Sequence, residues 1–497
     1  MNIYIKKLIK LSKDLDQKYN HLLFYLLLVL AVFIPLYPKL PLSSVAGTYV
    51  AIRLEDALIL VIFLVRGVFN LHRAKKMLSK TITQSFILFW VIGLISLLSA
   101  FFITLTVSKN LGILHLLRRV EVMMLFFVAA TTLRNINQLK IFLYSMLVVT
   151  AIVVFYGLGQ IYAQFPVIST TNREFSKGLI LTLTPGARPN STFAGHYDLA
   201  AYLSIAIIFI GTLFFYRPDK LWNFSRKIFL PRLGLMIVGL SSFALLGLTA
   251  ARVSFVAVLA GLVLSFWLNG KKVLIFLLIL ASIGAVGVIP ELRHRLVATV
   301  TVNFLGGGGP KYEADPNAIN DFTPRAFEAT TPSQIEEATE TAIQATPSAS
   351  KVAADIAPGE PTNSTELGVY RSFNIRTDVE WPRALRAFYK NPILGTGYSS
   401  ITLATDNDYL RSLGEVGVFG TLSFGLIFFI LIKKFIKSIK KGERIEKLFI
   451  IATLCSIFAV LITAVFIDIL EASKIASLMW IMLGLAWAIS NNYSKDL

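Results

Sequence analysis

The chain has 497 residues, of which 55% are hydrophobic and 15% are charged, and its formal net charge is +19. A soluble domain carries about 25% charged residues, so this composition excludes an ordinary soluble enzyme. Apolar runs of about 20 residues recur along the chain, and each is long enough to cross a bilayer as a helix. The sequence therefore predicts an all-α polytopic membrane protein and not a β-barrel, whose strands would alternate in polarity.

The positive charge has an explanation within this class. It is concentrated in short loops between apolar runs, as in the cytoplasmic loops of membrane proteins. The chain has no basic domain with a binding motif, so we predict no nucleic-acid partner. Cys455 is the only cysteine of the chain, which excludes an intrachain disulfide and a cysteine-based metal cluster.

Twelve apolar runs are predicted to span the membrane. They cover residues 21–37, 54–71, 82–103, 111–131, 139–161, 197–216, 233–250, 252–270, 273–290, 411–433, 448–467 and 472–490. With twelve spans, the basic loops and both termini lie on one side, which the positive-inside rule assigns to the cytoplasm. Eleven or thirteen spans would scatter the basic loops over both sides.

The spans predict three regions. Residues 1–290 form a membrane domain with spans 1 to 9, residues 291–410 form a large extracytoplasmic loop, and residues 411–497 form a membrane domain with spans 10 to 12. Within the loop, residues 313–366 are rich in Ala, Thr, Pro, Ser and acidic residues, which predicts a flexible insertion. The pattern of residues 373–389 predicts an amphipathic helix.

Most ionisable residues of the predicted spans lie at or near their outer ends. They are Glu55, Asp56, His115, Arg118, Arg119, Glu121, His196, Asp198, Arg252, Asp406, Asp408, Arg411, Glu415, Asp468, Glu471 and Lys474. Such residues are costly in a membrane and are usually functional. For any one of them, an interfacial side chain that reaches toward water is an equal alternative. For the whole set, we predict a polar cavity that opens outward.

Four arginines indicate the kind of ligand. Arg188, Arg252, Arg371 and Arg376 lie on or near outer segments. A planar guanidinium suits bidentate binding of phosphate. A helix that begins near Arg252 would also direct its N-terminal dipole at an anion. A diphosphate carried by a membrane lipid would be presented at this depth.

Three blocks carry a family resemblance. They are ARPNSTFAGHYDLAAYL (Ala187 to Leu203), LTAARVSFVAVLAG (Leu248 to Gly261) and the stretch from Tyr370 to Gly420. In their order and placement, with a large loop between spans 9 and 10, they resemble the O-antigen ligase and O-antigen polymerase superfamily of bacterial inner-membrane glycosyltransferases. The resemblance covers most of the chain.

The resemblance implies a metal-independent glycosyltransferase without a cofactor. Its donor would be a polyprenyl-diphosphate-linked oligosaccharide, and its acceptor a glycan or lipid-linked glycan, at the outer face of the bacterial cytoplasmic membrane. It also implies that Arg188 and Arg252, with Arg371 or Arg376 from the loop, bind the diphosphate.

The general base is predicted where this chain departs from the family. Ligases usually have His-Asn before the Tyr-Leu of the tenth span, whereas this chain has Asp406-Asn407. A carboxylate also accepts a hydroxyl proton, so Asp406 or His196 is the predicted base, and the substitution favours a polymerase over a ligase. Trp381 and Tyr398 are predicted to stack on sugar faces, and an anchor at the membrane interface is an equal alternative for Trp381.

The sequence also admits three other interpretations. Asp406-Asn407-Asp408 resembles a DxD metal motif, in which paired carboxylates hold Mg²⁺ or Mn²⁺ beside phosphate oxygens, but the chain lacks a nucleotide-sugar domain. A twelve-span transporter or flippase of polysaccharide precursors would place its binding groups at the bilayer midplane between repeats, whereas these charges lie at one face. The last alternative is a non-catalytic assembly subunit.

Overall fold

The computed structural model describes residues 3–38, 40–45, 51–70, 77–167, 182–183, 187–214, 229–288, 293–294, 297–300, 370–401, 405–439 and 444–491. These residues are mostly helical. The strands among them are β1 (Pro41–Ser44) and β2 (Ala51–Arg53), which pair antiparallel. The all-α class is confirmed, while the predicted insertion at 313–366 lies outside the described residues.

The helices follow the apolar runs. They are α1 (Ile3–Leu36), α2 (Leu54–Asn70), α3 (Thr81–Ser99, continued by a π-helical turn at Ala100–Thr104), α4 (Lys109–Thr132), α5 (Ile136–Tyr162), α6 (His196–Phe214), α7 (Phe229–Leu248), α8 (Arg252–Leu268), α9 (Lys272–Val288), α10 (Trp381–Lys390), α11 (Asp408–Ile439), α12 (Arg444–Thr463) and α13 (Ser473–Ser490). Each of the twelve predicted ranges overlaps one of these helices. The additional helix, α10, continues a π-helical turn at Ile375–Glu380, where the amphipathic helix was predicted.

Six helical segments in the described part are long and apolar enough to cross a membrane. They are Thr81–Thr104, Ile136–Tyr162, His196–Phe214, Asp408–Ile439, Ile445–Thr463 and Ser473–Ser490. Within α1, Ile9–Asp16 and His21–Leu36 together are also long and apolar enough to cross a membrane, with a bend of 68° between them. The apolar segments of α7, α8 and α9 are shorter. These helices indicate a multi-pass membrane protein, and the number twelve stays a prediction.

The chain divides into two compact units. The first comprises Met1–Leu292 and Arg383–Leu497, and the second comprises Arg293–Pro382. The first unit holds α1 to α9, α11 to α13 and most of α10. The described part of the second unit includes the turn at Ile375–Glu380.

Helix α13 lies at the centre of the first unit. Every residue from Lys474 to Ile489 is buried, and α4 packs closely along this helix. A Cβ atom on Gly484 would lie 2.3 Å from the carbonyl oxygen of Phe126, so this close approach requires a glycine. Trp480 packs edge-on against Phe86, with 5.3 Å between the ring centroids. The core is therefore formed by aromatic residues of α3 and α4 around α13.

Helix α11 is interrupted near its start. Gly417 has a φ of +66°, a conformation that glycine adopts readily, and the helix continues beyond it. The turn before α11 packs against this break: the amide of Thr396 donates to the carbonyl oxygen of Gly414 at 2.9 Å, and that of Gly397 to Glu415 at 2.8 Å. A Cβ atom on Gly395 would lie 2.4 Å from the Glu415 carbonyl group. The turn thus places the next residue, Tyr398, beside α11.

Candidate functional site

Seven helices bring polar residues together at one end of the first unit, which we call the polar end. It comprises the last turns of α1 and α12 and the first turns of α2, α4, α6, α11 and α13. The contacts that define it are Arg118 to Asp56, Arg119 to Glu471, Asp408 to Ala464, and Lys474 to both Pro35 and Thr192. The predicted gathering of outer-end polar residues corresponds to this region.

Arg119 occupies the middle of the polar end. Its guanidinium donates to the carboxylate of Glu471, just before α13. The Arg119 Cζ atom also lies 6.0 Å from the ring centroids of Tyr398 and Phe424, within reach of a cation–π interaction. The Arg119 side chain is 18% exposed, so its charge depends on these partners.

Arg411, at the start of α11, makes a second set of ion pairs. Its Nη1 donates to Asp468 at 2.7 Å, and its Nε donates to Glu415 at 3.4 Å. Its Nη2 donates to the carbonyl oxygen of Ile401 at 3.1 Å. We call Arg119, Arg411, Asp408, Glu415, Asp468 and Glu471 together the charged cluster.

Two carboxylates of the charged cluster also fix the backbone. Asp408 accepts from the amides of Ile469 and Leu470 at 2.8 and 2.9 Å, ahead of α13. Asp468 accepts from the amides of Thr405 and Asn407 at 2.8 and 3.1 Å, ahead of α11. These bonds satisfy buried backbone donors, so the segments that enter α11 and α13 hold one another in place.

A cleft opens beside the charged cluster. It measures about 590 Å³ out to its open mouth, and its wall includes Arg119, Arg411, Glu415, Glu471 and Tyr398. Tyr398 is 3% exposed, and its hydroxyl has no hydrogen-bond partner among the described residues. Burial raises the pKa of Tyr398, so the hydroxyl keeps its proton at neutral pH.

Glu471 is ionised in this cleft. Burial alone would raise the pKa of its carboxyl group, but the positive charges of Arg119 and Arg411 outweigh burial, and the net pKa is lowered. The Glu471 side chain is 30% exposed, so solvent screens part of this attraction.

The structure brings together two predicted site residues. Arg188 Nη1 lies 2.7 Å from Nε2 of His196, the first residue of α6. A guanidinium only donates hydrogen bonds, so Nε2 of His196 is the acceptor in this contact. The pair places a cation beside the N-terminus of a helix, where anions are favoured.

The loop between these two residues is held on three sides. Gln160 of α5 accepts from the amides of Asn190 and Ser191 at 3.2 and 2.7 Å. Thr192 donates its hydroxyl to the carbonyl oxygen of Pro35 in α1 at 2.6 Å. Lys474 of α13, only 1% exposed, donates to the carbonyl oxygen of Thr192 at 2.9 Å. The backbone that carries Arg188 and His196 is therefore preorganised.

The other predicted residues are more dispersed. Arg252 begins α8, and Asp406 lies between the two amides bound by Asp468, with a φ of +47°. Arg371, Arg376 and Trp381 belong to the second unit, where Arg376 donates to the carbonyl and hydroxyl oxygens of its neighbour Ser372 at 2.8 and 2.6 Å. Convergence of all these arginines on one diphosphate stays a prediction.

The contacts of Asp408 are relevant to the alternative of a metal site at Asp406-Asn407-Asp408. The Asp408 carboxylate, second in the DxD-like triplet, accepts from backbone amides. Within the described part of the chain, no three His, Cys, Asp or Glu side chains are arranged to hold a metal ion.

Sequence reasoning did not single out Arg119, Arg411 or Glu471 as site residues. Each was in the predicted set of outer-end charges, which was the available signal. Their partners are distant in sequence, since Arg119 and Glu471 are 352 residues apart. No motif marks such a pair.

Comparison with known protein families found no family that matches this chain, and comparison with curated proteins found no match either. The resemblance to the O-antigen ligase and polymerase superfamily therefore depends on the three sequence blocks alone.

Proposed function

We propose that this chain is a membrane glycosyltransferase that moves a glycan from a polyprenyl-diphosphate-linked donor to a glycan or lipid-linked acceptor at the outer face of the bacterial inner membrane. The observation that carries this proposal is the Arg188–His196 contact at 2.7 Å, on a loop fixed by α1, α5 and α13. It combines a phosphate-binding cation with a preorganised backbone beside a helix N-terminus.

The proposal includes twelve membrane spans, a large extracytoplasmic loop between spans 9 and 10, and cytoplasmic termini. The distribution of charge along single helices supports it. Helix α11 has Arg411 and Glu415 in its first turns and Lys433, Lys434 and Lys437 in its last turns. By the positive-inside rule, the lysine end is cytoplasmic and the polar end faces outward.

The proposed reaction is a single displacement. The acceptor oxygen bonds to the anomeric carbon while the bond from that carbon to the diphosphate oxygen breaks, and the lipid diphosphate leaves with the electron pair. Arg188 and Arg252, with Arg371 or Arg376 from the loop, stabilise the negative charge that develops on this leaving group. Side-chain cations supply this stabilisation, so the step requires no cofactor or metal ion.

Asp406 is the preferred base for the acceptor proton. His196 directs its Nε2 at Arg188, so its role in this arrangement is to orient the arginine. Asp406 lies in the segment held by Asp468 and is half-buried beside α11. The Asp406-Asn407 pair favours polymerase over ligase activity. Tyr398, in the wall of the cleft, and Trp381 are proposed to contact sugars.

Purified protein in lipid nanodiscs, incubated with lipid-diphosphate-linked oligosaccharide, tests this function. Longer lipid-linked chains from the donor alone indicate a polymerase, and transfer only after a second acceptor is added indicates a ligase. Arg252→Ala and Asp406→Ala should each abolish most of the transfer. The mechanism is wrong if both variants retain wild-type transfer. Movement of the lipid-linked donor across vesicles, without transfer, would favour a flippase.

A further inference from the structure

The cleft between α4, α11 and α13 has walls of both charges. Arg119 and Arg411 face it together with Glu415 and Glu471. A simple anion there would meet the two carboxylates, and a simple cation would meet the two guanidinium groups. A hydroxyl group both donates and accepts hydrogen bonds, so a neutral ligand with several hydroxyls matches both kinds of wall.

The charged wall retains hydrogen-bonding capacity. Among the described residues, Arg119 donates one hydrogen bond, through Nη2 to Glu471. A guanidinium carries five N–H donors and a carboxylate about four acceptor positions, so this pair leaves groups for a ligand.

Tyr398 provides an independent sign of a missing partner. Its side chain is 3% exposed, it lines the cleft, and its hydroxyl is buried without a hydrogen-bond partner in the described part of the chain. Buried hydroxyls in native proteins nearly always have a partner, and one without it calls for an explanation. A ligand hydroxyl that reaches Tyr398 would satisfy it.

The remaining walls are aromatic. Trp480 and Phe424 line the cleft, and Trp480 is 2% exposed. Ligand sites typically combine such apolar surfaces with a few placed polar groups. The cleft measures about 590 Å³ out to its open mouth, so the hydroxyl-bearing edge of one sugar ring would enter it while the rest of the ring lies at the mouth.

The cleft is also connected to the proposed base. Arg411 in its wall pairs with Asp468, and Asp468 binds the amides on either side of Asp406. A sugar held by Arg411 would thus approach the segment that carries Asp406. This connection favours the acceptor, whose hydroxyl must lose a proton, over the departing lipid diphosphate.

We propose that this cleft binds a sugar of the acceptor glycan through the mixed charges of Arg119, Glu471, Arg411 and Glu415 and the hydroxyl of Tyr398. The assignment of this sugar to the acceptor rests on the proposed glycosyl transfer. The binding of a hydroxyl-rich ligand in this cleft is independent of the proposed glycosyl transfer.

Tyr398→Phe is the sharpest test, because it removes one hydroxyl and keeps the ring. Tyr202→Phe is the matched control: Tyr202 is also buried, and its hydroxyl bonds Thr150 at 3.0 Å away from this cleft. The probe is the free oligosaccharide that mild acid releases from the lipid-diphosphate donors of the producing cells. Its binding to full-length protein in nanodiscs is measured by calorimetry, without donor.

We expect Tyr398→Phe to weaken oligosaccharide binding about tenfold, the effect of losing one hydrogen bond, and to raise the acceptor KM by a similar factor. Tyr202→Phe should bind as the wild type does. Thermal melting of both variants checks that they fold. Equal binding by Tyr398→Phe and the wild type, no binding by the wild type, or displacement of the oligosaccharide by sodium diphosphate would overturn the proposal.

Failure of the proposed function gives a different result. In that case the wild type transfers nothing from several lipid-diphosphate donors but still binds the free oligosaccharide in a Tyr398-dependent way. The cleft would then be a sugar site of a protein with another activity.

Discussion

Two groups of buried charge at the polar end are held in different ways. In the charged cluster, Arg119 and Arg411 pair with carboxylates beside an open cleft. Lys474 instead donates to the carbonyl oxygens of Thr192 and Pro35, and its Nζ lies 4.8 Å from the ring centroid of Phe193. The first arrangement leaves hydrogen-bonding groups beside a cleft, whereas the second fixes a loop.

We therefore assign the charged cluster to ligand binding and Lys474 to the positioning of other site residues. The segment anchored by Lys474 carries Arg188 and His196, which are proposed to act on the leaving group. The charged cluster faces the side proposed for the acceptor. Both depend on α13, because Glu471 and Lys474 lie three residues apart at its start.

The largest effect is expected at Arg411, which serves two carboxylates. Arg411→Met leaves Asp468 and Glu415, whose side chains are 13% and 5% exposed, without this cation. Removing one partner of a buried ion pair costs about 3 to 5 kcal/mol, so the midpoint of denaturant unfolding should fall sharply. Arg411→Lys keeps a charge and should lose less. An unchanged midpoint for Arg411→Met would show that the cluster contributes little to stability.

Lys474→Met tests the anchor at nearly constant side-chain volume. The carbonyl oxygen of Thr192 loses a charged donor, so we expect a loss of about 1.5 to 3 kcal/mol in unfolding free energy. Glycosyl transfer should fall further than the lost folded fraction explains, because Arg188 and His196 are no longer held. Comparison of kcat with KM for the donor detects this, and Lys474→Arg should restore part of the activity. Stable Lys474→Met protein with wild-type kcat would contradict the positioning role.

Gly484→Ala tests the close packing of α4 against α13. Its Cβ atom would lie 2.3 Å from the carbonyl oxygen of Phe126, so α4 must shift from α13, at a cost of about 1 to 3 kcal/mol. The shift moves Arg119 away from Glu471. Gly425→Ala in α11 is the control, because its Cβ atom would meet nothing within 4 Å. Thermal melting should rank Gly484→Ala well below Gly425→Ala, and the reverse order would contradict this close packing.

The smallest effect concerns the pH dependence of stability. The pKa of Glu471 is lowered in the folded protein, so its contribution is present above the unfolded value of about 4.3 and is lost as pH falls through the folded pKa. Below this pH, the melting temperature of Glu471→Gln should therefore fall less steeply with acidification than that of the wild type. Partial exposure makes this difference small. If the melting temperatures of Glu471→Gln and the wild type fall in parallel from pH 6 to pH 3, the ionised form of Glu471 is not stabilised by its arginines.

The approximate positions of the helices were predictable, because each apolar run overlaps a helix, but their ends were not: α1 begins at Ile3, whereas its predicted span begins at residue 21. The Arg188–His196 pair could also be predicted, since the two positions differ by eight within one recognisable sequence block. The charged cluster could not. Pairing Arg119 with Glu471 requires the rotation of α13 relative to α4, and α13 is apolar on all sides beyond Ser477, so its sequence carries little information about that rotation. The two charges were visible in the sequence, but their contact depends on packing.

The most direct test of the account is glycan transfer from a polyprenyl-diphosphate donor by wild type, Arg188→Ala and Arg134→Ala. Arg134 pairs with Asp16 just past the far end of α4, about 22 Å along that helix from Arg119, so it is a control at the opposite end of the bundle. We predict transfer by the wild type and, per folded protein, by Arg134→Ala, which removes a cation from the buried Asp16 and so lowers stability. For Arg188→Ala we predict a loss of about 100-fold in kcat. No transfer by the wild type from several such donors, or equal transfer by all three proteins, would contradict the account.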